Sequence, residues 1–355
     1  MNVRSSGVSH AVPFPALTFL GDIMPGRFML PLIERLSMAG VLSALSPVIH
    51  ERAVVANLEC PLFDGSCPRD SKIRFQAPTD MASQIRRAGF TGLSIANNHI
   101  FDCGAEGAAS TRQALEANGL FCIGAGKNID EAQRPAILRC GGTTVGIAAF
   151  SYTPAASENT AGVAPMYGDA VERVITALRP QVDFLVAQFH SGVELLRYPL
   201  PRDRALYSRA VDLGANLVIG SHAHCVQVME HRHGTPIYYS LGDCLFDHHR
   251  PEVWQGFWKQ GTHPLRYSLD ATPDLPRTSL AVTVDFSGSG PVITHRPVRL
   301  GDDGLPFLPD QAAQAQWLES YESLCADWQT SDAIREQTHA IEADIMESLK
   351  RRRLA

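Results

Sequence analysis

The chain predicts an α/β layered fold. Three observations carry that reading. Short apolar runs rich in Val, Ile and Phe recur along the sequence. Amphipathic stretches with helical spacing lie between several of them. Nearly every apolar run ends in Asp, Glu, Asn or His. Strands alternating with helices build layered α/β domains.

Taken in order, ALTFLGD reads as the first core strand and ends at Asp22, and AVVANLE ends at Glu59. GLSIANNH ends at Asn97, Asn98 and His99, and DFLVAQFH at His190. NLVIGSHAH ends at His222 and His224, and PIYYSLGD at Asp243. TDMASQIRRAG, AEGAASTRQALEANG, DAVERVITALRP and RDRALYSRAVDLGA carry helical patterns. Gly or Pro closes each of them, as helix stops do. LAVTVDF and PVITHRPVRL form a hairpin turned by SGSG. Residues 254–277, rich in Gly, Pro and aromatics, read as a long loop of the kind that often carries function. In the helical tail, Ile334, Ile341, Ile345 and Leu349 share one face, with Ser331 as N-cap. That face is expected to pack on the domain or on a partner subunit of a homo-oligomer. The expected organisation is a tail over 1–16, one domain over 17–300 and a helical extension over 301–355.

Composition narrows the function. An apolar fraction of 45% supports a sizeable core, and a net charge of −6 leaves no electrostatic footprint for nucleic acid. The one basic cluster, KRRR at 350–353, suits a helix C-terminus. No apolar run is read as spanning a membrane, and the N-terminus does not read as a signal peptide. The eight cysteines contain no C-x-x-C pair and are expected as free thiols in a reducing cytoplasm. Cys60, Cys103, Cys225 and Cys244, next to the polar strand ends, are expected as small apolar fillers.

In open α/β sheets, ligands sit beyond the carboxyl ends of the strands. Here those ends carry Asp22, Glu59, Asn98, His190, His222 and His224. Residues i and i+2 of a strand point the same way, so His222 and His224 are expected to face one pocket. Mixed imidazole and carboxylate sets suit Zn, Mn, Fe or Co, and six ligands are about right for two ions. Arg27, Lys72 and Arg74 are expected to form a cationic rim that binds an anionic substrate. Arg27 is further expected to assist the reaction. His231, His233, His248 and His249 lie in polar contexts and are expected at the surface.

These residues also match a family. GDIMPGR, NLECPLF, KIRFQAP, SIANNHIFDCGAEG, FHSGVE, IGSHAH and YYSLGDCLFD follow in an order that resembles the CapA, or poly-γ-glutamate capsule biosynthesis, family. The resemblance runs from about residue 17 to about residue 250. It implies a metallophosphoesterase-like αββα sandwich, two β-sheets flanked by helices, with two metals at the strand ends. By that resemblance Asp22 and His224 hold the first ion, and Asn98, His190 and His222 the second. Glu59 stands where the wider pattern has a bridging Asp. His99 is the general acid, and Asn97 is assigned to substrate. Two departures stand out: the D-x-H of the phosphoesterase pattern is Asp22-Ile23-Met24 here, and the YSLGN-type motif ends in Asp243.

The expected function is metal-dependent hydrolysis or group transfer on a phosphate- or γ-glutamyl-containing anion, related to capsule biosynthesis. One alternative is a non-catalytic accessory that binds the anionic polymer. Another is a soluble biosynthetic enzyme outside capsule assembly.

Overall fold

The computed structural model describes residues 8–67, 74–250, 253 and 275–354. Two large β-sheets organise it. The seven-stranded sheet runs in the order Val8–Val12, Ala136–Cys140, Thr143–Ser151, Phe184–His190, Leu217–Ser221, Thr235–Tyr238, Met229–Arg232. The eight-stranded sheet runs Pro306–Phe307, Val292–Leu300, Thr278–Asp285, Ala16–Ile23, Ala53–Leu58, Gly92–Ser94, Phe121–Ile123, with Asp243–Leu245 also paired to Ala16–Ile23.

Strand alternation shows how the layers stack. In Ala53–Leu58, Ala53 and Val55 join an apolar core shared with the seven-stranded sheet. Val54, Ala56 and Leu58 point the other way, into a second core with helices Leu30–Val41, Met81–Arg87 and Gly104–Ala117. One strand therefore separates the inter-sheet layer from a helical layer, because successive side chains take opposite faces. Helices Ala170–Leu178 and Pro201–Asp212 add Val171, Ile175, Tyr207 and Ala210 to the first core. The result is two sheets flanked by helices, as expected.

All four expected helices are present, and the expected hairpin pairs Thr278–Asp285 with Val292–Leu300. Ser331 Oγ accepts from Ile334 N at 3.3 Å, capping the last helix, Asp332–Leu354. Ile341 is 5% exposed in the first core, so the tail packs on its own domain. The segment expected as an N-terminal tail contributes Val8–Val12, parallel to Ala136–Cys140.

Three expectations need correction. First, Cys67 and Cys103 form a disulfide, and six other cysteines are free and buried. They lie 36 residues apart, a separation that no spacing rule picks out. Second, Arg27–Ile49 is long and apolar enough by length and composition to cross a membrane. Its Ile33, Met38, Val41 and Leu45 nevertheless pack into the second core, and Ser37 breaks the helix at φ 63°. Third, His248 is buried. His231 and His233 are exposed, as expected. Lys72 and all of the 254–277 loop except 275–277 lie outside the described residues.

One glycine brings two site-bearing strands together. A Cβ on Gly21 would lie 2.1 Å from the Gly242 carbonyl oxygen. Its absence lets Asp22 N donate to that oxygen at 2.9 Å and places Asp243 opposite Asp22 in the pairing.

Candidate metal centre

The strand ends converge. Asp22 sits near the end of Ala16–Ile23, Glu59 directly follows Ala53–Leu58, and His190 is the last residue of Phe184–His190. Asp22 and Glu59 are fully buried, and His190 and His224 nearly so. Leu217–Ser221 ends before either of its histidines, so strand alternation does not aim them. Instead, His222 and His224 both take positive φ, 94° and 51°. Such backbone is costly for residues with a Cβ and tends to cluster at functional sites. The chain turns twice, and both rings reach one cleft.

The donor atoms fall into two groups that share Glu59. One group is Glu59, His190 and His222; the other is Asp22, Glu59 and His224. His190 Nε2 lies 2.7 Å from Asn98 Oδ1, 3.1 Å from His222 Nδ1 and 3.6 Å from Glu59 Oε1. On the other side, His224 Nε2 lies 3.7 Å from the same Glu59 oxygen. Neither carboxylate oxygen of Glu59 has a hydrogen-bond partner, although both are buried. A buried carboxylate without partners is strongly disfavoured unless a cation joins it. The donors present therefore fit divalent ions: Asn98, His190 and His222 on one side, Asp22 and His224 on the other, Glu59 between.

Surrounding groups orient the donors. Asn57 Nδ2 donates to Asp22 Oδ1 at 3.0 Å, and His222 N donates to Asp22 Oδ2 at 3.0 Å. His190 Nδ1 lies 3.0 Å from Ser221 Oγ, which leaves Nε2 for the cluster. Such outer partners fix the ring and its tautomer. His99 Nδ1 pairs with Asp102 Oδ2 at 2.8 Å, and Phe75 N donates to that oxygen at 2.7 Å. The Phe75 ring packs on His99 with centroids 4.1 Å apart.

Electrostatics favour cation uptake. Burial pushes the Asp22 carboxyl up to about 7 and Glu59 well above the carboxylate range. Burial also holds His190 well below its ordinary value and takes His222 down to about 4. His190 and His222 are thus ready to donate lone pairs at neutral pH, whereas at His224 the Asp243 and Glu59 carboxylates outweigh burial and hold the ring well above its ordinary value, so a cation must displace protons from His224 as well as from the carboxyls. A raised acid favours its protonated form below its pKa, so affinity is expected to rise with pH through about 7 as Asp22 deprotonates. Calorimetric titration of Zn²⁺ in buffers of differing ionisation enthalpy should show proton release. Binding heats independent of buffer would refute it.

The structure places the other expected residues as follows. Arg27 Nε lies 3.1 Å from Asp247 Oδ2, and its guanidinium sits 5.2 Å from the centre of the Phe75 ring, the ring that also packs on His99. Arg74 Nη1 donates to the Cys67 carbonyl at 3.1 Å. Asn97, expected to bind substrate, is buried and bonded within the protein. Its Nδ2 donates to Asn57 Oδ1 and Leu58 O, and its Oδ1 accepts from His99 N and Ile100 N. With all four hydrogen-bonding positions filled and the residue fully buried, it shapes the turn that presents Asn98 and His99. Reading the sequence missed Asn57, Asp102, Asp247 and the partners of Asp243. Only Asp102 left a signal: it follows His99 by three residues, within reach across one turn.

Residues 16–248 match the model of the bacterial capsule synthesis protein family PGA_cap. The chain belongs to that family. Among curated PGA_cap-like relatives, the PGA biosynthesis protein CapA of Bacillus subtilis is 29% identical, over 65% of this chain and 63% of its own. The capsule biosynthesis protein CapA of Bacillus anthracis is 30% identical, over 65% and 59%. A probable polyglutamine synthesis accessory protein of Mycobacterium tuberculosis is 27% identical, over 64% of each. The chain thus spans less than two thirds of the length of these relatives. Two crystal structures are similar at low identity. A hypothetical protein from Thermus thermophilus has a TM-score of 0.49 and 16% identity, covering 79% of this chain and 98% of its own. The 5′-nucleotidase of Candida albicans has a TM-score of 0.45 and 10% identity, covering 96% and 60%. At these scores the likeness carries no functional weight.

Proposed function

We propose that the chain is a metal-dependent hydrolase or group transferase acting on an anionic, phosphate- or γ-glutamyl-containing substrate in poly-γ-glutamate capsule biosynthesis. The observation that carries this reading is Glu59. Both its oxygens are buried and unpartnered, and one of them, Oε1, lies 3.6 Å from His190 Nε2 and 3.7 Å from His224 Nε2. Divalent cations held there supply Lewis acidity at the bond under attack. The chain's own residues supply the rest. Asp102 orients His99 and stabilises its protonated ring, and His99 Nε2 hands a proton to the leaving group. Arg27, held by Asp247 and laid against Phe75, presents positive charge to the anion.

One observation favours a second reading, a non-catalytic accessory that binds the polymer. The phosphoesterase pattern has His two residues after its first Asp, and here that place is the fully buried Met24 in the apolar core. Element analysis of the purified protein, followed by assay of the metal-loaded protein on phosphoesters and γ-glutamyl amides, separates the two. Turnover of either substrate class supports the enzyme. Bound metal, tight binding of poly-γ-glutamate and no turnover support the accessory. The expected cytoplasmic location rested on eight free thiols, and the Cys67–Cys103 pair removes that ground.

A further inference from the structure

Asp243 stands where the resembling family motif has Asn, and what it touches is specific. Its Oδ1 lies 2.8 Å from His224 Nδ1, and its Oδ2 lies 2.9 Å from His248 Nδ1. All three residues are buried, and Asp243 is fully so. The Phe246 ring stacks on His248 at 4.2 Å and leans on His224 at 4.8 Å, so both rings are held from a second side. The strand Asp243–Leu245 is itself tied to Asp22 through the pairing that Gly21 permits.

His224, Asp243 and His248 lie close enough to suggest a cation site of their own. Their geometry argues otherwise. Each carboxylate oxygen already meets a ring nitrogen at hydrogen-bond distance, so the oxygens are engaged and the two Nδ1 atoms serve as donors. The cluster is a clamp.

We infer that Asp243 and His248 are positioning residues for the metal centre: Asp243 keeps the His224 proton on Nδ1, so that Nε2 offers its lone pair on the Glu59 side, and His248 holds the carboxylate in place. The inference rests on the metal-binding reading of the preceding section. A carboxylate can accept from both rings at once. An asparagine in the same place offers one oxygen and one NH₂, so one imidazole would have to turn or present a lone pair instead. The Asp at this position and the buried His248 thus belong together: two ring donors need two acceptor oxygens.

The tests are Asp243→Asn, His248→Ala and His248→Gln, with circular dichroism to confirm folding. Two-bond ¹H–¹⁵N spectra of the wild-type imidazoles, without metal and with Zn²⁺, should show His224 Nδ1 protonated in both states. Asp243→Asn should lose that signature and bind Zn²⁺ about 10–100-fold more weakly, the usual cost of removing an outer-shell partner. His248→Ala, which removes the second donor to Asp243, should bind Zn²⁺ several-fold more weakly, and His248→Gln, whose amide can still donate, should recover most of that loss; wild-type affinity in a folded His248→Ala protein would remove His248 from the clamp. An unprotonated His224 Nδ1 in the wild type would overturn the clamp, whether or not metal binds. So would unchanged Zn²⁺ affinity in a folded Asp243→Asn protein. If the wild type takes up no Zn²⁺ while the metal-free spectra show the protonated Nδ1, the metal reading fails and the clamp stands.

Discussion

Glu59→Gln is expected to abolish metal binding on both sides of the centre and, with it, turnover, while making the metal-free protein more stable. The two effects have one origin. Glu59 is fully buried, its oxygens accept no hydrogen bond, and burial raises its carboxyl well above the usual range. Without a cation, the folded protein holds either a desolvated charge or a carboxyl kept protonated against its solution preference, and both disfavour the native state. Glutamine has the same shape and no charge to strand. It also cannot be shared between two cations. Loss of a shared direct donor should exceed the roughly 10–100-fold cost of an outer-shell change. Thermal unfolding measures both consequences. In chelator, Glu59→Gln should melt above wild type. With Zn²⁺ at about 100 times the wild-type Kd, wild type should gain about 2.7 kcal/mol and the variant nothing. A variant that kept its Zn²⁺-dependent rise would remove Glu59 from the centre.

This opposition between stability and site shows why some of the centre was legible in the sequence. Asp22, Glu59 and His190 interrupt or end apolar strands whose other residues are core, and a charged or ring residue at such a buried place calls for an explanation. Parallel strands bring their carboxyl ends to one edge, so the convergence followed from the fold class. His222 and His224 converge for a different reason from the one expected. The strand stops at Ser221, and two left-handed residues do the aiming. Periodicity cannot report a φ value. Asn97 and Asn98 show another limit. They are neighbours of one chemistry, yet Asn97 fills its four bonds inside the turn while Asn98 reaches His190. Which way each points is set by Asn57 and Leu58, about forty residues away in sequence. The same holds for Cys67 and Cys103, and for His248, whose polar neighbourhood DHHR reads as surface until Asp243 is seen beneath it. The helix Leu30–Val41 is broken midway at Ser37, φ 63°, a kink that no residue pattern announces.

His99→Asn is expected to lower turnover about 10²–10⁴-fold on substrates with poor leaving groups, the range for loss of a general acid, and to leave metal content unchanged. The separation follows from placement. His99 is half-buried beside the centre, and its Nδ1 partner is Asp102 rather than any of the clustered donor atoms. Removing the ring leaves Asp102 still accepting from Phe75 N, so the turn keeps that side-chain tie. Its other tie, Asn97 Oδ1 accepting from the backbone of residues 99 and 100, does not involve the imidazole at all. The variant should therefore fold and bind Zn²⁺ as wild type does. A general acid matters in proportion to how badly the departing group needs a proton. Esters of nitrophenol, which leave as stable anions, should lose little rate, whereas alkyl esters or γ-glutamyl amides should lose most of it. Asp102→Asn should follow the same order with a smaller loss, because the ring remains but its protonated form is less stabilised. Equal losses on good and poor leaving groups, or a fall in bound metal, would make His99 a structural residue and leave the proton to another group.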